Sequence, residues 1–327
     1  MDYLVKPMYV EALDKIFEET SFLTPLFKRA EFKNCLLMLL SICFSPKKTI
    51  AGMADWLENI NQSTLNRFLT QSNWLTKRLF GRYHKKILKQ VKGKRVTLII
   101  DDSKIQKTGE NIEKVGWEFD HAKKIHILCF SIVFAVVKIG GVDLPLPFAA
   151  EVCKKKNRKK DKRKKSKITL AMKIIAQFIE LTKSAKKRII LFDSWYCAKK
   201  LVRAIPADVY WVTRLKFKRD RLVLVKDRWI PLWKFCRSVN SWDYKRTKAG
   251  DRYFWVYITK IEVNGLGVVT LAMTKLKHYS REYLAFISNL DDATEMLESY
   301  GERWDIEVFF RSVKQNFGIG DVQMRNS

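Results

Sequence analysis

Two short runs constrain any fold this chain can adopt. Arg95-Val96-Thr97-Leu98-Ile99-Ile100 is apolar and β-branched, and Arg188-Ile189-Ile190-Leu191-Phe192 repeats that texture later in the chain. Runs of this kind form buried strands. Each ends in acid: Asp101-Asp102-Ser103 follows the first, and Asp193-Ser194-Trp195-Tyr196 follows the second. A helical segment, 197–205, and another strand, 209–215, come next. In such a strand–helix–strand unit an α/β sheet carries its site residues at the carboxyl end of a strand. The expectation is an α/β protein with two carboxylates at strand ends.

A third acidic position stands near the other end of the sequence. The stretch 300–314, YGERWDIEVFFRSVK, has no Gly or Pro after Gly301 and reads as one helix with Ile306, Phe309, Phe310, Val313 and Phe317 as its buried side. Tyr300, Arg303, Glu307 and Lys314 then fall within about 60° of one another around the helix. A carboxylate flanked by cations on one helix edge suits a site that handles phosphates and a metal together. The plainer alternative is an amphipathic helix with charge pairs on a solvated face.

Charge narrows the partner. The 327 residues include 63 Lys and Arg against 34 Asp and Glu, a net charge of +29, which points to a polyanion, most often nucleic acid. With 47% hydrophobic and 13% aromatic residues the chain suits a packed enzyme rather than a basic tail. The six cysteines form no C-x2-C pair and there are four histidines, so a zinc site is not expected and most of the thiols read as buried in a reducing compartment. No basic-then-apolar leader opens the chain, and the longest apolar runs, 35–44 and 127–137, are too short to span a bilayer. A cytoplasmic protein without membrane contact is expected.

Residues 1–92 read as helical. Within them, an apolar helix over 32–44 is followed by helices over 49–58 and 62–70 that resemble a helix-turn-helix DNA reader, with Ser63, Thr64, Asn66 and Arg67 opening the exposed helix 62–70; a plain helical bundle is the alternative. Residues 93–215 carry the sheet: strands over 95–100, 126–138 and 142–152, joined as an antiparallel meander with a polar loop to about 124. Pro145 and Pro147 suggest an edge for the third strand. The run 153–167 holds eleven Lys or Arg and one Asp. It reads as a solvated loop able to touch phosphates without sequence preference. A helix over 167–182 follows. Residues 216–282 read as a β-rich insertion with strands over 222–225, 229–235, 242–244, 253–263 and 267–274. Residues 283–327 return to the core with a last strand, 284–288, a helix over 291–302 and the acidic helix.

The spacing Y-x2-R-x3-E-x6-K of the late helix resembles the signature of bacterial insertion-sequence transposases of the DDE type, insertion-sequence family four and its relatives. The D-S after the first strand and the F-D-S-W-Y at the end of the fourth, 188–192, agree with it. The resemblance implies a ribonuclease-H-like (retroviral-integrase-like) catalytic core preceded by a helical DNA-binding region. It implies metal-dependent DNA strand cleavage and strand transfer. Asp102, Asp193 and Glu307 would hold two Mg²⁺ ions, with Mn²⁺ able to substitute, and Tyr300, Arg303 and Lys314 would contact DNA phosphates. The family pattern sets the first Asp directly before Thr or Ser, which favours Asp102 over Asp101. The implied partner is double-stranded DNA, at transposon ends and target, with a homodimer assembling on it in the bacterial nucleoid. A hairpin intermediate is one route. Family members usually continue further past this helix, which leaves room for a truncated or decayed copy that only binds DNA. A ribonuclease-H-like nuclease without strand transfer is the other alternative.

Overall fold

A computed structural model of the chain describes residues 7–72, 76–109, 112, 114–120, 123–142, 144–153, 166–217 and 221–319. Most of the basic run, 154–165, lies outside them. The chain divides into two compact units: 1–90 with 105–130 and 309–327, and 91–104 with 131–308.

The first unit is built on helices α1 (Val10–Thr20), α2 (Arg29–Phe44), α3 (Ile50–Leu57), α4 (Gln62–Gln71) and α5 (Thr76–Leu88). Leu36, Leu37, Leu40, Met53, Leu57, Leu65 and Phe68 make their shared core. Thr49 starts α3 by accepting a hydrogen bond from the Gly52 amide at 3.1 Å, which satisfies one of the free donors of a helix start. Gly52 is required there, because a Cβ would lie 2.5 Å from that of Lys47. On α4, Ser63, Asn66 and Arg67 are exposed while Leu65 and Phe68 are buried.

Strands β1 (Arg95–Gln106), β2 (Gly116–Asp120) and β3 (Ile125–Ile139) follow. The first unit takes β2 and the opening half of β3 as an antiparallel hairpin, with Trp117 opposite Leu128 and Phe119 opposite His126. This strand replaces part of the loop expected up to 124. Its five residues alternate, but with Trp117 and Phe119 on the exposed side they carry little burial signal.

The second unit holds the rest of the sheet. Its further strands are β4 (Leu146–Val152), β5 (Lys187–Phe192), β6 (Tyr210–Leu215), β7 (Leu222–Val225), β8 (Arg228–Pro231), β9 (Lys245–Ala249), β10 (Arg252–Val263), β11 (Gly267–Lys275) and β12 (Leu284–Ser288). The sheet runs β3–β1–β5–β6–β12–β11–β10–β7–β8, with β4 paired to β3 and β9 to β10. It is mixed: β1–β5 and β5–β6 are parallel, whereas β12 pairs antiparallel to both β6 and β11. The β3–β4 register shifts at Ala135/Val136, beside Pro147, which has no N–H to give the ladder. The strands of 222–275 extend this same sheet through β12.

Helices α6 (Lys167–Leu181), α7 (Lys199–Val202), α8 (Leu232–Ser238), α9 (Ala293–Gly301) and α10 (Trp304–Asn316) complete the chain. α6 lies on one side of the sheet, where Arg188 of β5 donates to the Ile179 carbonyl. α9 lies on the other, where Lys187 pairs with Glu295, and Arg95 of β1 pairs with Glu302 at 2.5 Å and donates to Ser299 at 3.0 Å.

Several elements differ from the sequence reading. The helix after Asp193 shrinks to Lys199–Val202, since the amides of Ala204 and Ile205 close i−3 turns and Pro206 follows. The strand expected over 229–235 stops at Pro231, and α8 begins there. Residues Ser241–Asp243 form a 3-10 turn held by Asp243 accepting from the Asn240 amide, not a strand. The late helix is two helices: α9 ends at Gly301 and α10 starts at Trp304. The Glu302 amide meets the carbonyls of Glu298, Ser299 and Tyr300 at once, while its carboxylate binds Arg95. Of the apolar side expected for α10, Ile306 alone is fully buried among the described residues.

Candidate active site

The parallel register of β1 and β5 decides what the two acidic motifs can do together. Pairs run from Arg95 opposite Lys187 to Ile100 opposite Phe192, and one step further sets Asp101 opposite Asp193. Neighbouring parallel strands lie about 4.8 Å apart and residues in register share a face. That face is the one that carries Arg95 and Lys187, which bind α9, so Asp101 and Asp193 stand beside the helical segment that carries Glu307.

The contacts agree with the register. Arg303, in the turn between α9 and α10, donates to Asp101 Oδ2 at 3.3 Å and to Glu307 Oε1. One guanidinium thus joins a strand carboxylate to a helix carboxylate. Its side chain is 17% exposed, and it lies 5.7 Å from the centroid of the Tyr300 ring. Burial works against its charge, and Tyr300, Glu307 and Asp101 together outweigh that, so it stays protonated more firmly than usual. Tyr300 closes α9 with its ring packed edge-on against Phe286 of β12 at 4.9 Å. Burial and the Asp193 charge raise its hydroxyl pKa, against Arg303 and Arg214.

Asp193 is held by its own turn. Its Oδ1 accepts from the Trp195 amide at 2.6 Å, and its carbonyl accepts from the Tyr196 amide at 3.1 Å, the local side-chain-to-backbone pattern of an Asx turn. Asp101 is the electrostatically strained member. Burial pushes its carboxyl up to about 6 from an ordinary 3.8; the Asp102 amide and Arg303 oppose this, and the charges of Asp193 and Asp102 add to it. A carboxylate raised by burial and by like charges is ready to gain from a bound cation.

Asp102 points the other way. Strand alternation turns it to the side of α6, where Lys167 Nζ donates to its Oδ2 at 2.5 Å and Tyr196 Oη donates to its Oδ1 at 3.3 Å. The structure therefore brings Asp101, Asp193, Arg303, Tyr300 and Glu307 to one face of the sheet and leaves Asp102, preferred on sequence grounds, on the opposite face. β1 runs straight through both aspartates to Gln106, so they are strand residues on alternating sides. Lys314 sits in the last turn of α10, within the first unit, with its ammonium 6.0 Å from the Phe310 ring centroid.

Sequence reasoning passed over Tyr196 and Lys167. The signal for Tyr196 was its place in the turn that Asp193 opens. Lys167 stood as the last cation of a basic run, and the sign of a different role was Ser166, which caps α6 by accepting from the Thr169 amide at 3.2 Å. Among the described residues no group of three or more His, Cys, Asp or Glu side chains is drawn together closely enough to hold a metal ion. Arg303 engages two of the carboxylates instead.

Residues 22–231, more than half of the chain, match a family model described as DDE superfamily endonuclease. The matched span contains Asp101, Asp102 and Asp193 and ends before Glu307. No curated protein matches the chain. No helix among the described residues is long and apolar enough to cross a membrane.

Proposed function

The chain belongs to the DDE superfamily endonucleases, and on that premise we propose that it is an insertion-sequence transposase whose acidic set is Asp101, Asp193 and Glu307 on a ribonuclease-H-like core. The observation that carries this reading is the alignment of Asp101 with Asp193 on the face of β1 and β5 that meets α9, with Arg303 linking Asp101 to Glu307. This replaces Asp102 with Asp101 as the first acid. The helical residues 1–92 are proposed as the DNA-binding region, the segment 93–215 with 283–327 as the catalytic core, and 216–282 as its insertion.

The donor set fits the metal that such a reaction uses. Mg²⁺, or Mn²⁺ in its place, takes hard oxygen ligands, and all three side chains are carboxylates. A positive group already lies between Asp101 and Glu307 in the form of Arg303, so the site tolerates a cation there. When bound, paired divalent ions would activate the attacking water or 3′-hydroxyl and stabilise the leaving oxygen of a phosphodiester.

The chain's own residues prepare the rest. Asp101 lies one step past the last β1–β5 pair and Asp193 is held in an Asx turn, so both carboxylates start from ordered backbone before substrate arrives. Arg303, released from the carboxylates, would turn its planar fork to a DNA phosphate, which it can grip through two parallel hydrogen bonds. Tyr300 would donate to a phosphate oxygen, and Lys314 would add a point charge along the duplex. DNA at transposon ends and target is the proposed substrate, and a homodimer on DNA the proposed assembly.

The test is Mg²⁺-dependent nicking of a labelled end duplex, beside a gel-shift titration in Ca²⁺. Glu307→Gln keeps size and hydrogen bonding and removes the charge. It is expected to leave DNA binding nearly intact and to reduce nicking by several orders of magnitude, since Glu307 would be one of the carboxylates holding the divalent ion on which such cleavage depends. Unchanged nicking by Glu307→Gln would refute the assignment.

A further inference from the structure

A second cluster of ionisable groups sits on the opposite face of the sheet, and the chemistry above makes no use of it. Asp102 accepts from Lys167 Nζ at 2.5 Å with one oxygen and from Tyr196 Oη at 3.3 Å with the other. Lys167 opens α6 and its ammonium also lies 5.7 Å from the Trp195 ring centroid. Tyr196 is completely buried, and its ring meets that of Trp195 edge-on at 5.0 Å. The Lys167 and Asp102 side chains are 19% and 22% exposed, so the pair is partly shielded from bulk water.

The connectivity gives this cluster its meaning. Asp102 is the next residue after Asp101. Tyr196 belongs to the turn that Asp193 opens, and its amide donates to the Asp193 carbonyl. One buried phenol and one carboxylate therefore bridge the two backbone segments that carry the two strand acids. Lys167 clasps both segments at once, Asp102 on one side and Trp195 on the other. Strand pairing between β1 and β5 ends at Ile100 and Phe192, just short of the acids. Beyond that point Tyr196 and Asp102 join the two segments through their side chains.

We propose that Asp102, Tyr196 and Lys167 form a positioning clasp that sets the spacing of the Asp101 and Asp193 carboxylates from behind the sheet, and so tunes the affinity of the site for its divalent ion. The proposal rests on the reading of Asp101 and Asp193 as ligands. Groups that orient ligands from outside the coordination sphere commonly change metal affinity by tenfold or more when removed. The clasp residues touch neither substrate nor metal; they act through the backbone of their neighbours.

The experiment uses the full chain and Mn²⁺, with free ion followed by electron paramagnetic resonance and nicking measured in parallel. Tyr196→Phe deletes one hydroxyl and keeps the ring; Lys167→Met deletes the charge and keeps the stem. Each is expected to weaken Mn²⁺ binding by about tenfold, and the double variant to fall short of the product of the two, because both act through Asp102. Lys167→Arg should restore most of the affinity by keeping a cation on Asp102. Lys167 is a partly exposed position, so Lys167→Met still reports if Tyr196→Phe does not fold. Unchanged Mn²⁺ affinity in both single variants overturns the clasp. Loss of Mn²⁺ binding in Asp102→Asn as complete as in Asp101→Asn also overturns it, because Asp102 would then be a ligand itself. Asp101→Asn serves as the separate control: if it binds Mn²⁺ like the parent, the ligand assignment has failed rather than the clasp.

Discussion

Neutralising each of two adjacent aspartates should change stability in opposite directions. Asp101 carries a carboxyl whose pKa rises from 3.8 to about 6 on folding, through burial and the nearby charges of Asp193 and Asp102. A group with a raised folded pKa binds more protons folded than unfolded between those two values, so the metal-free protein loses stability as pH climbs from about 3.8 through 6. At 1.36 kcal/mol for each pH unit of displacement, the ionised carboxylate costs the folded state about 3 kcal/mol at neutral pH. That figure already includes the opposing help of Arg303, and the 21% exposure of the side chain leaves it modestly screened. Asp101→Asn should therefore be more stable than the parent at pH 7.5 in EDTA, by up to ~3 kcal/mol, which is several degrees in Tm for a unit of this size. The advantage should vanish near pH 4, where the parent carboxyl is largely neutral when folded. It should also shrink in Mg²⁺, which stabilises only the protein able to bind it. Asp102→Asn should do the reverse. It leaves the Lys167 ammonium without its carboxylate in a partly buried place, at a cost of about 1–3 kcal/mol. Urea denaturation of both variants at pH 4 and 7.5, with and without Mg²⁺, reads all of this. A destabilised Asp101→Asn together with an unharmed or stabilised Asp102→Asn would refute the reasoning and exchange the two roles.

Two further outcomes concern DNA. Replacing the cations of 154–165 by Gln, with Lys167 kept for its pairing to Asp102, should weaken binding to all duplexes alike and flatten the dependence on salt, because the run has charge without a periodic pattern; a loss confined to one end sequence in a gel-shift panel would contradict this. Lys314→Ala should lower both duplex affinity and nicking rate, since a phosphate contact acts in ground and transition states alike, and single-turnover kinetics showing loss of one without the other would count against a phosphate role.

How much was legible beforehand can be followed residue by residue. The runs 95–100 and 188–192 announced buried strands, and Val96, Leu98, Ile99, Ile100, Ile189, Ile190, Leu191 and Phe192 are all fully buried. Of the cysteines read as buried thiols, Cys35, Cys129, Cys153, Cys197 and Cys236 are buried, and Cys43 is exposed. The hairpin strand β2 and the helix α8 were not legible. β2 shows Trp117 and Phe119 to solvent, and α8 follows directly on Pro231, the last residue of β8, whose fixed φ suits a strand end and the approach to a helix equally well.

By itself the sequence determined which segments could be buried strands and that acids follow both central strands, and its charge raised the expectation of a polyanion; these depend on side-chain volume, branching and charge, which act locally. Only the tertiary structure decided which acids meet. A strand offers alternate residues to opposite faces, so Asp101 and Asp102 are equivalent until the register with β5 and the cover of each face are fixed. Contacts far apart in sequence fix them: Arg95 with Glu302, Lys187 with Glu295, Asp102 with Lys167. The same holds for the late helix. Its Y-x2-R-x3-E spacing reads as one continuous edge, yet Glu302 turns away to bind Arg95 and the helix breaks after Gly301. Arg303 is left in the turn, where it reaches Asp101 and Glu307 together. No local rule foresees that break, which coincides with an ion pair to a partner more than two hundred residues away along the chain.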